Sequence, residues 1–374
     1  MWTWLNQQAG WLFLAGLAAV LLWNLVLWRR DQALARRLRE QRPPPPSLPQ
    51  DGPPVSVLAA AWNEADMIQE HVESFQQLGY AKRELVLCAG GEDGTLALAQ
   101  QYAGEQVVVL EQQAGEGKQA ALRRCLERAR GEVVFLTDAD CLLDDESFER
   151  TLAPVLLEGA EVTTGSYQPL DAQIDNPFVV HQWCADLAAA ARMEDPVRSI
   201  VGRNCALRRQ VLDAVGGFEP PLRTGTDYYM GKMLAASGYR IRYRRDSEVR
   251  TRYPTRLRSY WRKQSRWVRN LVLHGPAFAA YEEVWMALRT SLVGLTMLLL
   301  PLVALAAGPL VLVAWGLLFG HSFLSKLRYA GLARLYRGAR VSARQLLLTP
   351  AYMIADFVAW ALPLFDLAAR RDRW

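Results

Sequence analysis

The sequence predicts an α/β domain with a mostly parallel sheet, joined at both ends to apolar helices long enough to cross a bilayer. Three observations predict it. From Val55 onward, short β-rich runs alternate with helical patterns, and that alternation implies a parallel sheet covered on both faces. Trp11–Trp28 is apolar apart from Asn24, about the eighteen residues that a hydrocarbon core requires. The last third of the chain returns to the same apolar texture.

The chain has 374 residues, room for about two or three units. Its hydrophobic content of 51% and mean hydropathy of −0.02 exceed those of a typical soluble enzyme and suit a soluble domain joined to membrane segments. A net charge of +5 could indicate nucleic acid. The basic clusters instead flank the apolar runs, as Arg and Lys do on cytoplasmic loops. No aromatic-basic platform or recognition motif marks the soluble part, so no nucleic-acid partner is expected. Cys88, Cys125, Cys141, Cys184 and Cys205 are odd in number and form no CxxC pair. Reduced thiols are therefore expected rather than a disulfide framework or a zinc site.

Residues 1–30 form the first membrane segment. A signal peptide would carry positive charge before its apolar run, whereas Arg29 and Arg30 follow it. An uncleaved anchor results, with its N-terminus outside and the next domain in the cytoplasm. Residues 31–54 hold a charged helical stretch, Arg29–Arg42 overlapping it, and a stiff linker containing Pro43–Pro46, Pro49, Pro53 and Pro54. Within 55–252, strands are predicted at Val55–Ala60, Glu84–Cys88, Gln106–Leu110, Val133–Thr137 and Glu161–Gly165. Helices are predicted near Ala65–Leu78, Thr95–Ala103 and Lys118–Ala129, the last with Ala121, Leu122, Cys125, Leu126 and Ala129 on one apolar face. Ligands of such sheets bind where loops leave the carboxyl ends of strands.

Residues 253–275 read as an amphipathic helix, with Leu257, Tyr260, Trp261, Gln264, Trp267, Val268 and Leu271 on one stripe and arginines elsewhere. Such a basic, Trp-bearing helix suits a membrane interface; an ordinary surface-packed helix fits the composition as well. Residues 285–374 hold the C-terminal membrane segments. Leu292–Ala307 and Leu310–Leu324 form a hairpin meeting at Gly308-Pro309, and Lys326, Arg328, Arg334, Arg337, Arg340 and Arg344 mark the following loop as cytoplasmic. Leu346–Leu367 is apolar but interrupted by Pro350, Asp356 and Pro363. If all four segments span, Arg370, Arg371 and Arg373 end outside, against the positive-inside tendency. Either the last segment is broken or re-entrant, or those charges are tolerated.

The run VVFLTDADC carries the most chemistry. A buried strand delivers Asp138 and Asp140 to a loop at its tip, where carboxylates at i and i+2 can converge on Mg²⁺ or Mn²⁺. A solvated acidic turn is the plain alternative for a lone Asp-x-Asp. Glycoside hydrolysis would need carboxylates at least ~5 Å apart across the sugar, and neighbours on one loop suit chelation better. Lys118 follows Gly115 and Gly117, so the backbone can approach a phosphate while an ammonium adds charge. The loop is no Walker motif: Gln112 and Gln119 stand where that motif needs Gly and Ser or Thr. Asp227 opens a helix after Gly225-Thr226, a place where acidic residues also stabilise the first turn. Arg266 can meet phosphate oxygens in bidentate fashion, and Trp267 can stack on a sugar.

These motifs, in this order, resemble the family 2 glycosyltransferases, the membrane-associated group that includes cellulose, chitin and hyaluronan synthases and ceramide glucosyltransferases. VSVLAAAWNE resembles the family's first strand with its Asn-Glu. AGEGKQAAL resembles Gly-Lys-x-x-Ala-Leu, and TDAD its Asp-x-Asp. VGRNCALRRQVLDAVGGF resembles the segment before the acceptor site, TDYYMGKMLAASGYRI the Thr-Glu-Asp helix with Gly-Tyr-Arg-Ile, and KQSRW the Gln-x-x-Arg-Trp motif. The resemblance covers about Val55–Asn270 and implies a GT-A (Rossmann-like) domain. It implies Asp227 as the base that removes an acceptor proton, and Asn63, Glu64, Lys118, Asp138 and Arg266 as nucleotide-sugar contacts. It implies Asn204, Gln264 and Trp267 as acceptor contacts, and Asp138 and Asp140 as ligands of Mg²⁺ or Mn²⁺. The implied activity is hexosyl transfer with inversion, from a nucleotide-sugar (a UDP-sugar first) to a hydroxyl or phosphate of a membrane lipid or lipid-linked acceptor; the charge pattern puts it at the cell (inner) membrane with the catalytic domain cytoplasmic.

Three departures stand out. Cys88-Ala89-Gly90-Gly91-Glu92-Asp93-Gly94-Thr95 replaces Asp-Asp-Gly-Ser-x-Asp-Gly-Thr, so the aspartate that contacts the base is missing and Asp93 is expected to hold a turn. Thr226 replaces the Glu of Thr-Glu-Asp. Lys263 replaces the leading Gln of Gln-x-x-Arg-Trp, which favours a single transfer over a processive polysaccharide synthase.

Overall fold

The computed structural model describes residues 8–49, 51–219, 222 and 224–369. The chain divides into two compact units, residues 43–171 with 193–252, and residues 1–42 with 172–192 and 253–374.

The first unit is built on an eight-stranded sheet. Its strands are β1 (Val55–Trp62), β2 (Arg83–Gly90), β3 (Val107–Glu111), β4 (Val133–Leu136), β5 (Cys141–Leu142), β6 (Val162–Pro169), β7 (Cys205–Arg208) and β8 (Ile241–Thr251), in the order β3-β2-β1-β4-β7-β6-β8-β5. β1, β2, β3 and β4 are parallel neighbours, as are β6 and β8; β7 runs antiparallel to both β4 and β6. Each of the five strands predicted from sequence is present within a few residues. β5, β7 and β8 are additional.

Period-2 alternation explains why both faces are covered. Val57, Ala59, Leu85 and Leu87 enter one core with Val72 and Phe75; Leu58, Val86 and Cys88 enter the other with Leu122, Cys125 and Leu126. The helices of this unit are α2 (Ile68–Gln76), α3 (Thr95–Gln100), α4 (Gly117–Arg128), α5 (Asp145–Leu157), α7 (Arg209–Ala214) and α8 (Thr226–Ala236), numbered along the whole chain. The apolar face expected near Lys118–Ala129 is buried throughout, at Ala121, Leu122, Cys125, Leu126 and Ala129.

The second unit is helical. It contains α1 (Ala9–Glu40), α6 (Pro177–Ala190), α9 (Leu257–His274), α10 (Tyr281–Ala307), α11 (Pro309–Arg337) and α12 (Ala343–Ala368). α1, α10, α11 and α12 are long and apolar enough to cross a membrane. Arg29–Glu40 continues α1 rather than starting a separate helix. Gly308, at φ 92°, separates α10 from α11, and Pro309 opens the latter, where its missing N–H costs nothing. Lys326, Arg328, Arg334 and Arg337 lie within α11 itself, so the expected basic loop is helix up to Gly338. α12 is one helix through Pro350 and Pro363. Arg370, Arg371 and Arg373 fall outside the described residues.

Asp356, which interrupts the last apolar segment, is almost fully buried. It accepts hydrogen bonds from His181 Nε2 (3.0 Å) and Tyr260 Oη (2.5 Å) and pairs with Lys326 Nζ (2.5 Å), linking α6, α9, α11 and α12. A buried carboxylate persists only with such partners. The stripe on α9 is largely used inside the unit: Tyr260, Val268 and Leu271 are buried, while Leu257 and Trp267 stay exposed.

Candidate active site

β4 is wholly buried, and its carboxyl end releases the acidic loop. Thr137 N–H donates to Leu58 O (3.1 Å), Cys141 N–H to Asp138 O (3.1 Å), and Arg252 N–H to Asp140 O (3.0 Å). His71, fully buried on α2, reaches Cys141 O from behind through Nδ1 (2.7 Å). The backbone of the loop is thus fixed, while Asp138 and Asp140 remain partly accessible.

Lys118 opens α4 beside this loop. Its Nζ donates to Asp138 Oδ1 at 2.6 Å and lies 3.5 Å from Asp227 Oδ1. Burial pulls the ammonium's pKa down, but Asp138 and then Asp227 outweigh it and hold Lys118 above the usual lysine value. Asp227 sits in the first turn of α8, behind Gly225 at φ 80°. Gly202 lies so close that a Cβ there would collide with the Asp227 carboxyl. Gln119, next to Lys118, holds Phe218 O (2.8 Å) with its amide nitrogen and accepts from Leu222 N–H (3.2 Å) with its oxygen. Glutamine at 119 therefore ties α4 to the segment leading towards Asp227, a structural reason for its departure from a Walker loop.

Sequence reading missed Arg203. Its Nη2 lies 3.3 Å from Asp138 Oδ2, and its Nη1 donates to Thr251 Oγ1 (2.8 Å), which in turn donates to Asp140 Oδ1 (3.3 Å). The guanidinium also stacks over the Tyr167 ring at 5.1 Å. The signal lay in strand pairing: Leu136 is opposite Cys205 in the antiparallel β4–β7 ladder, so continuing the register puts Arg203 opposite Asp138.

Asn63 and Glu64 follow β1. Asn63 takes φ 57°, and its Oδ1 accepts from Glu92 N–H (2.8 Å), so it laces the β1 and β2 loops together. Asp93 accepts from Thr95 N–H (3.0 Å) and Ala65 N–H (3.0 Å), the turn-holding role expected of it. Glu64 pairs with Arg252, which also pairs with Asp66. Burial raises Glu64 to about 7, against the pull of Arg252 and with the help of Asp140 and Asp66.

That shift has a consequence for stability. Between the ordinary value of 4.5 and about 7, folded Glu64 keeps a proton that the unfolded chain has lost. Stability therefore falls as pH rises through this window. In thermal unfolding measured with EDTA, the wild-type midpoint should drop from pH 5 to pH 7.5 by more than that of Glu64→Gln. Parallel curves for the two proteins would contradict the assignment.

Asn204 corrects an expectation. It is fully buried, its Oδ1 accepting from Thr151 Oγ1 (2.8 Å) and its Nδ2 donating to Ser166 O (2.9 Å) and Ser247 Oγ (3.0 Å). A side chain with every group committed inside the sheet braces the fold and has no surface for an acceptor. Gln264, Arg266 and Trp267 lie on α9 of the helical unit. Lys263, beside them, places its ammonium 4.6 Å from the Tyr253 ring centre.

Asp138 and Asp140 present oxygen donors only, and among the described residues no third carboxylate, histidine or cysteine joins them. That donor set fits a hard cation such as Mg²⁺ or Mn²⁺, which one or two carboxylates hold together with substrate phosphates and water.

Residues 53–270 match the family model described as glycosyltransferase like family 2, more than half of the chain. The chain belongs to this family. The glycosyltransferase AglE of Haloferax volcanii is 25% identical over 52% of this chain and 65% of its own length. The probable glycosyltransferase YdaM of Bacillus subtilis is 24% identical, over 58% and 55%. The poly-β-1,6-N-acetyl-D-glucosamine synthase of Staphylococcus aureus is 22% identical, over 57% and 53%. The chain thus spans between about half and two thirds of the length of these relatives. Among solved structures, the mannosyltransferase PcManGT of Pyrobaculum calidifontis, in complex with GDP-Man and Mn²⁺, is similar over 95% of this chain and 98% of its own, at 21% identity and a TM-score of 0.53. That likeness concerns the fold: this family member has a GT-A domain with long apolar helices on both sides of it.

Proposed function

We propose that this glycosyltransferase moves a hexosyl group from a nucleotide-sugar, with inversion, to a hydroxyl group of a membrane-associated lipid acceptor. The observation that carries the reading is Lys118, which joins Asp138 of the acidic loop and Asp227 around one ammonium, at 2.6 Å and 3.5 Å. A site with both a diphosphate-neutralising half and a further carboxylate, held only at 3.5 Å by Lys118, suits direct displacement at an anomeric carbon.

In this reading Asp138 and Asp140 hold Mg²⁺ or Mn²⁺, which supplies Lewis-acid neutralisation of a leaving diphosphate. Lys118 releases Asp138 to meet diphosphate oxygens, and Arg266 is assigned a bidentate phosphate contact. Asp227, whose carboxyl occupies the space that the missing Cβ of Gly202 leaves open, removes the acceptor proton. Glu64 and Asn63 line the nucleotide end, Asn63 chiefly by shaping its loop. Gln264 and Trp267 are assigned to the acceptor. The four apolar helices support membrane association. The basic residues Arg29 and Arg30 after the first span support a cytoplasmic catalytic domain at the cell membrane, where a lipid acceptor is at hand. UDP and GDP are both candidates for the donor, since the aspartate that would single out UDP is replaced around Gly90.

A processive polysaccharide synthase is the second reading, favoured by the similarity to the staphylococcal synthase. Product size separates them: one sugar per lipid in the first case, a polymer in the second. The test is incubation of the purified chain with Mg²⁺ or Mn²⁺, a nucleotide-sugar panel and native lipid extract, with products identified by mass.

A further inference from the structure

Both carboxylates of the acidic loop are tied to one guanidinium. Arg203 meets Asp138 directly through Nη2, and it meets Asp140 through Thr251. Thr251 accepts from Arg203 Nη1, so its single proton is left to point at Asp140 Oδ1. The remaining oxygen of Asp138 lies against Lys118. Each oxygen of Asp138 is therefore in contact with a cation. Asp138, Asp140 and Asp227 contribute three negative charges, and Lys118 and Arg203 return two positive ones.

A lone divalent ion entering this loop would meet a carboxylate already paired twice, with two like charges beside it. A divalent ion that arrives with a diphosphate brings its own anion. The anion gives Lys118 and Arg203 a new partner and releases Asp138. We propose that Arg203 is a positioning residue that makes capture of the metal depend on the diphosphate: it suppresses binding of the free ion and favours binding of the ion together with a nucleoside diphosphate. The inference rests on the donor-site reading above. It adds a residue and an order of binding to that reading.

The test follows Mn²⁺ by paramagnetic resonance on the full-length chain in detergent, first with Mn²⁺ alone and then with Mn²⁺ plus UDP or GDP. The wild type should bind Mn²⁺ weakly alone and more tightly with the preferred nucleotide. Arg203→Gln should move the two affinities in opposite directions. Mn²⁺ alone should bind about tenfold more tightly, because a like charge is gone. Mn²⁺ with nucleotide should bind about tenfold or more weakly, because a charge-assisted contact is lost. Arg203→Lys keeps the charge and loses the fork, so binding of Mn²⁺ alone should stay at the wild-type level while binding with nucleotide weakens. That second variant decides the matter if Arg203→Gln does not fold. A merely structural role would lower both affinities together, and that result, or no change in either, overturns the inference. A wild type that retains no Mn²⁺ with either nucleotide sinks the donor-site reading itself, and this inference with it.

Discussion

Asp227→Asn should lower kcat by about 10²–10⁴-fold, the range typical of losing a positioned general base, while leaving donor binding close to wild type. Asparagine keeps the shape of the side chain and the first-turn position of α8, so folding should be preserved. What is removed is the ability to accept a proton, together with one of the two carboxylate charges facing Lys118, whose 2.6 Å contact with Asp138 remains. Turnover and the affinity for the donor should therefore separate, the signature of an interaction needed in the transition state. Equal turnover in wild type and variant would remove Asp227 from the mechanism and leave first-turn stabilisation as its role. Gly202 is expected to share this phenotype for a steric reason, since a Cβ there would push the Asp227 carboxyl away.

Replacing the acidic pair should act on a different step. Asp138→Asn or Asp140→Asn should weaken retention of Mn²⁺ with nucleotide by at least about a hundredfold, more than loss of a supporting partner usually costs. Turnover should fall in parallel. Asp138→Asn also leaves Lys118 and Arg203 facing each other without the carboxylate between them, so a drop in thermal stability should accompany it. Asp140→Asn should spare stability, because Thr251 can still donate to the amide oxygen. Calorimetric binding together with a melting curve on each variant reads out both effects. Unchanged metal retention in both variants would contradict the assignment of the ligands.

The parallel half of the sheet was legible in the chain because β1, β2 and β4 are largely buried on both faces and read as apolar runs, and because the edge strand β3 carries the run VVVL although only Val107 in it is buried. β8 was not legible. Its residues Arg242, Arg244, Arg245, Asp246, Glu248 and Arg250 look like a solvated turn. They become a strand because Asp246 pairs with Arg150 (2.7 Å), Arg242 with Asp195 (2.8 Å) and Arg250 with Asp171 (3.0 Å), partners supplied from far along the chain.

The same distinction holds at the site. Asp138, Asp140, Lys118 and Asp227 sit in short motifs at strand ends and helix starts, where local sequence reports chemistry. Arg203 stands two residues from Cys205, inside the motif VGRNCALRRQVLDAVGGF, whose resemblance pointed to Asn204 and gave Arg203 no role. Its role appears only through the antiparallel register of β7 with β4. Asn204 shows the converse. A polar residue within a familiar motif suggested an acceptor contact, yet burial and hydrogen bonds to Thr151, Ser166 and Ser247 commit it to the fold. Motif membership alone does not separate a residue that meets substrate from one that braces the loop beneath it.

The most direct test of the account is product analysis. The purified chain is incubated with Mn²⁺, a panel of UDP- and GDP-sugars and native membrane lipids, alongside the Asp227→Asn variant. One donor should be consumed by the wild type only, nucleoside diphosphate should be released, and a lipid should gain the mass of one hexose with inverted anomeric configuration. Consumption of no donor under any of these conditions, or equal product from the variant, would contradict the proposed transfer.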